Sequence, residues 1–230
     1  MNNVETLCNV PFIVARGADW FAGLGPEKNG GPKLYCISGH VQRPGVYEAS
    51  MQTTLRELIF DRAGGVRGGH RLKAVIPGGS SVPILLPNQL DIPASFEGVA
   101  RAGSLLGSAG IIVMDETTCM VWAARNLLYF YRHESCGKCT PCREGIDWLL
   151  KILQRIERGE GELEDIDLLL SISNNVAGKT LCAFGDAAVT PALTTVKHFR
   201  GEYEAHIREG RCTLPAEWRA REQPGSALTE

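Results

Sequence analysis

Glu134-Ser135-Cys136-Gly137-Lys138-Cys139-Thr140-Pro141-Cys142-Arg143 sets three thiols at two-residue intervals. Repeating that gap gathers three thiolates around one small volume, which suits three corners of a cubane of iron and sulfide; the fourth must come from elsewhere in the chain. Gly137 lets the backbone turn tightly, and Pro141 is expected to hold off helix until Cys142 opens the next one. Backbone N–H groups at that helix start, with Lys138 and Arg143, are placed to stabilise a negatively charged cluster and raise its reduction potential. By elimination Cys182, in Lys179-Thr180-Leu181-Cys182-Ala183-Phe184-Gly185, is the best candidate for the fourth ligand, with Cys212 a weaker rival beyond the last helix.

Zinc more often takes two separated Cys-x-x-Cys pairs, each forming a knuckle. The three-plus-one division therefore favours [4Fe–4S], with a four-thiolate structural zinc or a non-metal role as the alternatives. A disulfide framework belongs to short secreted chains, and the start at Met1-Asn2-Asn3-Val4-Glu5-Thr6 has no basic patch, apolar run or cleavage site of a secretory signal. Cys8, Cys36, Cys119 and Cys212 stand alone in the sequence, and Cys36 and Cys119 read as small buried hydrophobes. His133 reads as a surface histidine or one that supports a ligand. Gly78-Gly79-Ser80-Ser81 lacks the lysine and following helix of a phosphate cradle and reads as a loop.

Around the triplet the apolar period is helical. Met120, Val121, Ala124, Leu127, Leu128 and Tyr131 form one stripe; Ile146, Leu149, Leu150, Leu153 and Ile156 form a second, ended by Gly159. Leu163, Ile166, Leu169, Leu170 and Ser173 make a third, and Leu193, Val196, Phe199 and Tyr203 a fourth, which Thr190-Pro191 is expected to open. Upstream, Leu34 to Gly39 and Gly45 to Glu48 read as a hairpin turned at Arg43-Pro44-Gly45. Thr53 or Thr54 then caps a helix from Leu55. Leu72 to Gly79 and the nearly all-apolar Gly110 to Asp115 are further strands, the latter central. Residues 1–30 show no clean periodicity and end in the breakers Gly25-Pro26 and Gly30-Gly31-Pro32.

The expected class is α+β, a small β-grasp-like domain followed by a four-helix iron-sulfur domain. The expected divisions are 1–32, a linker and domain remnant; 33–115, the β-grasp-like unit; 116–214, helical; and 215–230, an exposed or docking tail of coil. The 230 residues are 44% hydrophobic, enough for a core, while 24 basic against 26 acidic residues leave a net charge of −2. Polyanion binding is accordingly not expected. The longest apolar stretch, Ala102 to Met114, is shorter than the ~20 residues of a spanning helix and is broken by glycines, so no membrane insertion is expected.

The motif from Ser135 to Gly145, together with Asn2-Asn3-Val4-Glu5-Thr6-Leu7, resembles the NADH-binding flavoprotein component of respiratory complex I, the NADH-quinone oxidoreductase-F family. The resemblance covers essentially the whole chain, but only the C-terminal half of that flavoprotein. It implies that Cys136, Cys139, Cys142 and Cys182 hold the [4Fe–4S] cluster that accepts electrons from FMN reduced by NADH. It also implies that Asn2, Asn3 and Thr6 belong to the segment contacting FMN. Implied partners are the [2Fe–2S] subunit and the large iron-sulfur subunit of a peripheral arm, at the cytoplasmic face of the inner membrane. The family's glycine-rich FMN and NADH segment precedes the Asn-Asn-Val-Glu-Thr motif, and no Gly-x-Gly-x-x-Gly occurs in these residues. A gene fragment, a mis-started frame or half of a split subunit is therefore expected, inactive alone. Two alternatives stand beside this: a non-catalytic interaction module stapled by a metal, and the equivalent subunit of an NAD-linked hydrogenase or formate dehydrogenase.

Overall fold

The computed structural model describes residues 1–219, which divide into two compact units: residues 1–79 with 85–115, and residues 80–84 with 116 onward. The class is mixed α+β, as expected.

The first unit holds a four-stranded sheet of order β2-β1-β4-β3. Its strands are β1 (Pro32–Gly39), β2 (Gly45–Ser50), β3 (Leu72–Ile76) and β4 (Gly110–Asp115). β1 pairs antiparallel with β2 and parallel with β4, and β4 pairs antiparallel with β3. The internal place of β4 follows from its apolar run, of which Ile111 and Val113 are fully buried. Period-two alternation along β1 sends Tyr35 and Ile37 into the core and turns Cys36 outward, so Cys36 is exposed and not the buried residue expected. Of the two threonine candidates it is Thr54 that caps. Its Oγ1 accepts from the Glu57 N–H, and the Glu57 carboxylate accepts from the Thr54 N–H, opening an α-helical turn over Leu55–Glu57 that continues as a π-helix over Leu58–Arg62, so the helix expected from Leu55 is present.

Three helical segments here were not anticipated. Residues 1–32 contain α1 (Val4–Arg16) and α2 (Ala18–Ala22), where irregular chain was expected. Asn3 caps α1 by accepting from the Thr6 N–H at 3.3 Å. Pro11 sits inside α1, and none of its residues is buried, so a breaker and the lack of a buried face hid it from pattern reasoning. With Leu55–Glu57 numbered α3, the next helix is α4 (Phe96–Arg101), capped by Ser95 through the Gly98 N–H. It is too short to carry a period.

The second unit is helical: α5 (Met120–Glu134), α6 (Thr140–Glu157), α7 (Glu164–Val176), α8 (Phe184–Glu209) and a turn, α9 (Ala216–Arg219). Its core joins Leu128, Ile146, Leu149, Leu153, Ile166, Leu169, Val189 and Val196, the residues of the four stripes with their neighbours. Arg125 grips Glu157 through two hydrogen bonds of 2.8 and 3.1 Å, tying α5 to α6. Two expected boundaries are corrected. α6 begins at Thr140, because proline is well suited to a helix's first turn, where its missing N–H has no partner to lose. α8 begins at Phe184 and runs through Thr190-Pro191 instead of starting there. The tail expected from residue 215 includes the turn α9, and residues 220–230 lie outside the described residues. No helix among the described residues is long and apolar enough to cross a membrane.

Candidate functional site

Between α5 and α6 the chain makes a five-residue connection, Ser135 to Cys139, and the cysteine triplet is built on it. Gly137 takes φ 71°, the left-handed region that favours glycine, and lets the loop double back. The turn is pinned from both sides. The Gly137 N–H donates to Ser135 Oγ at 3.3 Å, and Arg143 Nη1 donates to the Gly137 carbonyl at 2.8 Å. Cys139 is the N-cap residue of α6, while Cys142 lies one turn in and is buried to 5% exposure. Cys136 is exposed and Cys139 half-buried.

Cys182 lies on the segment between α7 and α8, exposed. This segment reaches the triplet: the Leu181 backbone N–H donates to the Cys139 sulfur. That bond, outweighing the opposing effect of burial, holds the Cys139 thiol below its ordinary range. The Cys142 thiol is pushed up, first by burial and then by the like charges of Cys139, Cys136 and Cys182, with Ser135 opposing through its hydroxyl. Cys142 thus feels the charge of all three other sulfurs, and a bound cationic group would relieve that repulsion. Thr180 Oγ1 donates to the Cys182 carbonyl at 2.8 Å, and the Gly178 N–H donates to Asp186 of α8 at 2.6 Å, so the loop is held in place. Gly185 is required there: a Cβ on it would come within 2.4 Å of the Thr180 side chain. Tyr131 stacks edge-on against Phe184 at 5.6 Å, joining the end of α5 to the start of α8 beside the site. His133 is exposed.

Asn2, Asn3 and Thr6 are exposed at the start of α1. Asn3 and Thr6 line a cleft of about 450 Å³ with Glu5, Asn9, Lys33 and Ser108. Glu5 is pushed up by partial burial, but the Lys33 ammonium and the Leu34 N–H at 2.8 Å outweigh it and keep the carboxyl below its ordinary range. In the loop from Gly78, a Cβ on Gly78 would meet the Leu106 carbonyl at 2.3 Å, and Gly79 donates to the Gly110 carbonyl at 2.8 Å; these glycines serve close backbone packing.

Cys119 and Cys212 do not stand alone. With His206 they form a group whose ligand atoms all lie within 4.8 Å of one another. His206 and Cys212 are close in the chain, but Cys119 lies at the opposite end of the helical unit, so no local spacing signals all three.

The iron-sulfur binding region model of NADH-ubiquinone oxidoreductase-F matches residues 122–206, which include all four candidate cluster cysteines, and the SLBB domain model matches residues 33–113. The chain is 56% identical to NADH-quinone oxidoreductase-F of Mycobacterium tuberculosis over 92% of its own length and 47% of that protein's. It is 52% identical to NADH-quinone oxidoreductase-F 2 of Rhizobium meliloti over 92% of its length and 50% of the relative's. The chain thus spans about half the length of the curated relatives it matches. Among solved structures, an NAD+-reducing [NiFe]-hydrogenase in the air-oxidised state matches with a TM-score of 0.80 at 34% identity, over 90% of this chain and 35% of that one.

Proposed function

Because the chain belongs to the NADH-quinone oxidoreductase-F family and matches the C-terminal part of its members, we propose that it is the electron-accepting portion of an NADH dehydrogenase flavoprotein. Cys136, Cys139, Cys142 and Cys182 are the ligands of its [4Fe–4S] cluster. When bound there, the cluster supplies one-electron acceptance from FMN that NADH has reduced. The observation that carries this reading is the match of the iron-sulfur binding region to residues 122–206, which hold all four cysteines, supported by the influence of Leu181 on Cys139 and of Cys182 on Cys142.

The chain's own residues prepare the site. Cys139 is shifted toward the thiolate that ligation needs, and the first-turn N–H groups of α6 point their positive ends toward an anionic group. Arg143 adds a guanidinium while fixing Gly137. Asn2, Asn3 and Thr6 form one edge of the flavin site. The polar cleft shared by Asn3 and Thr6 supports this, although Asn3 already spends its side-chain oxygen on capping α1.

The β-grasp-like reading of residues 33–115 is supported by the parallel β1–β4 pair flanked by antiparallel strands, and by the SLBB match. The divisions at 32, 115 and 214, and a helical iron-sulfur domain built on α5 to α8, complete the proposed architecture. The partners are the [2Fe–2S] and large iron-sulfur subunits of a peripheral arm on the cytoplasmic membrane face. A second reading, the equivalent subunit of an NAD-linked hydrogenase, is favoured by the hydrogenase likeness.

Anaerobic reconstitution with iron and sulfide tests the cluster. The wild-type chain is expected to retain both and to give a paramagnetic signal on reduction; Cys182→Ser loses them and Cys212→Ser keeps them. The reverse order of the two variants rejects Cys182 as the ligand. No iron in the wild type rejects the cluster, and zinc bound in its place at these cysteines favours a structural staple.

A further inference from the structure

Cys119, His206 and Cys212 come together outside the four-cysteine site, at the other end of α5. Cys119 is the residue before α5, where its sulfur accepts from the Trp122 N–H at 3.4 Å. His206 lies in the last turn of α8, with Nε2 3.3 Å from the Cys119 sulfur and Nδ1 2.7 Å from the Glu202 carbonyl. A carbonyl only accepts, so Nδ1 carries a proton and Nε2 is the nitrogen that faces the sulfurs. α8 ends at Gly210 in the left-handed conformation, and the Arg211 N–H bonds back to the His206 carbonyl at 3.1 Å, which returns the chain and delivers Cys212. Cys119 and His206 are each 1% exposed, while Cys212 is half-buried.

We propose that Cys119, His206 and Cys212 bind a single zinc ion, with a fourth position left open on the side of Cys212. Two sulfurs and an imidazole nitrogen within 4.8 Å of one another are the soft and borderline donors that zinc takes. The second imidazole nitrogen is already held by a backbone carbonyl, as ligating histidines are. Glu202 of α8 accepts from the Met120 N–H at 3.1 Å and helps fix the start of α5.

The competing account is a buried hydrogen-bonded group that only fills space. It does not explain why two thiols and an imidazole, from the start of α5 and the end of α8, are gathered within 4.8 Å of one another. A Cys119–Cys212 disulfide would need an oxidant and would leave His206 without a role.

Before metal binds, the hydrogen bond from Cys119 holds the Cys212 thiol down to about 4 against the push of burial, with His206 adding to the effect. Burial opposes protonation of His206, but its bond to Cys212 prevails and raises it. Zinc binding would displace whatever protons these three donors still hold, with no electron transferred. The ion would clamp the start of α5 to the end of α8, two points far apart in the chain.

The test uses the full chain with its iron-sulfur cluster loaded anaerobically, exposed to zinc, desalted and analysed for zinc and iron together. The wild type is expected to keep about one zinc, as a mononuclear site requires. Cys212→Ser, at a half-buried position outside the helices, and His206→Gln lose it with iron unchanged. Cobalt(II) in place of zinc should give a sulfur-to-metal charge-transfer band in the wild type that Cys212→Ser lacks. Equal zinc in the wild type and Cys212→Ser overturns the proposal, as does identical cobalt absorption in the two. Loss of zinc from Cys182→Ser but not from Cys212→Ser overturns it too, since the ion would then lie on the cluster cysteines.

Discussion

At Arg143 a single side chain combines two effects: it donates to the Gly137 carbonyl and sets a positive charge beside the triplet. Replacing it with glutamine removes the charge at similar length. Arg143→Gln is expected to lower the midpoint potential of the reconstituted cluster, because the reduced, more negative state loses a cation. A redox titration followed by the paramagnetic signal checks this, and an unchanged or higher potential refutes it. The triplet itself was legible in the sequence because its spacing is local. Cys36 was misread by one step of the strand period; Cys119 is buried at a helix start as expected, but neither it nor Cys212 stands alone, because partners arrive from distant chain.

Among the elements, the two prolines inside helices show where pattern reasoning fails. Pro191 removes one N–H from α8, a cost of roughly 3 kcal/mol in an isolated helix. Here Pro191 is buried with Ala188, Val189 and Ala192, and Thr190, Thr194 and Thr195 each donate a hydroxyl to a carbonyl a turn earlier, at 2.9, 2.9 and 2.6 Å. Core packing outweighs the local penalty, and the backbone inside the helix leaves helical angles at Phe199 (φ −131°, ψ 29°), not at Pro191. The loop before α8 yields a sharper prediction. Gly185→Ala drives a methyl into Thr180, which holds the Cys182 carbonyl, so it should cost about 1–3 kcal/mol by thermal denaturation. Iron retention should fall with it; full stability with full iron would remove the tight packing from the account.

Asp147 gives the α5–α6 pair a pH dependence. Its carboxylate lies 2.6 Å from Lys151 and 2.7 Å from Arg132, and the Lys151 hydrogen bond chiefly lowers its pKa, against burial. A lowered folded pKa gives stabilisation that is present above the unfolded value of about 4 and lost as pH falls through the folded one. The pairs are largely at the surface, so the contribution is only about 0.5 kcal/mol. Melting curves should show Asp147→Asn destabilising at pH 7 and converging on wild type near the acid limit; a gap that widens as pH falls contradicts the assignment.

For the molecule as a whole, the chain matches about half the length of its NADH-quinone oxidoreductase-F relatives. It contains no Gly-x-Gly-x-x-Gly turn to seat a dinucleotide. With added FMN and ferricyanide, the isolated chain should therefore oxidise NADH no faster than free flavin does. Robust turnover by these residues alone would overturn the division of labour proposed here.

By itself the sequence determined the class of the fold, four helical stripes, four strands and the spacing of a three-cysteine run, because each depends on residues within a few positions of one another. Only the tertiary structure decided that Leu181 reaches Cys139, that helices continue through Pro11 and Pro191, and that Cys119, His206 and Cys212 share one small volume. Those outcomes rest on contacts between segments distant in the chain, where the balance of burial, strain and hydrogen bonding is set by packing and leaves no periodic trace.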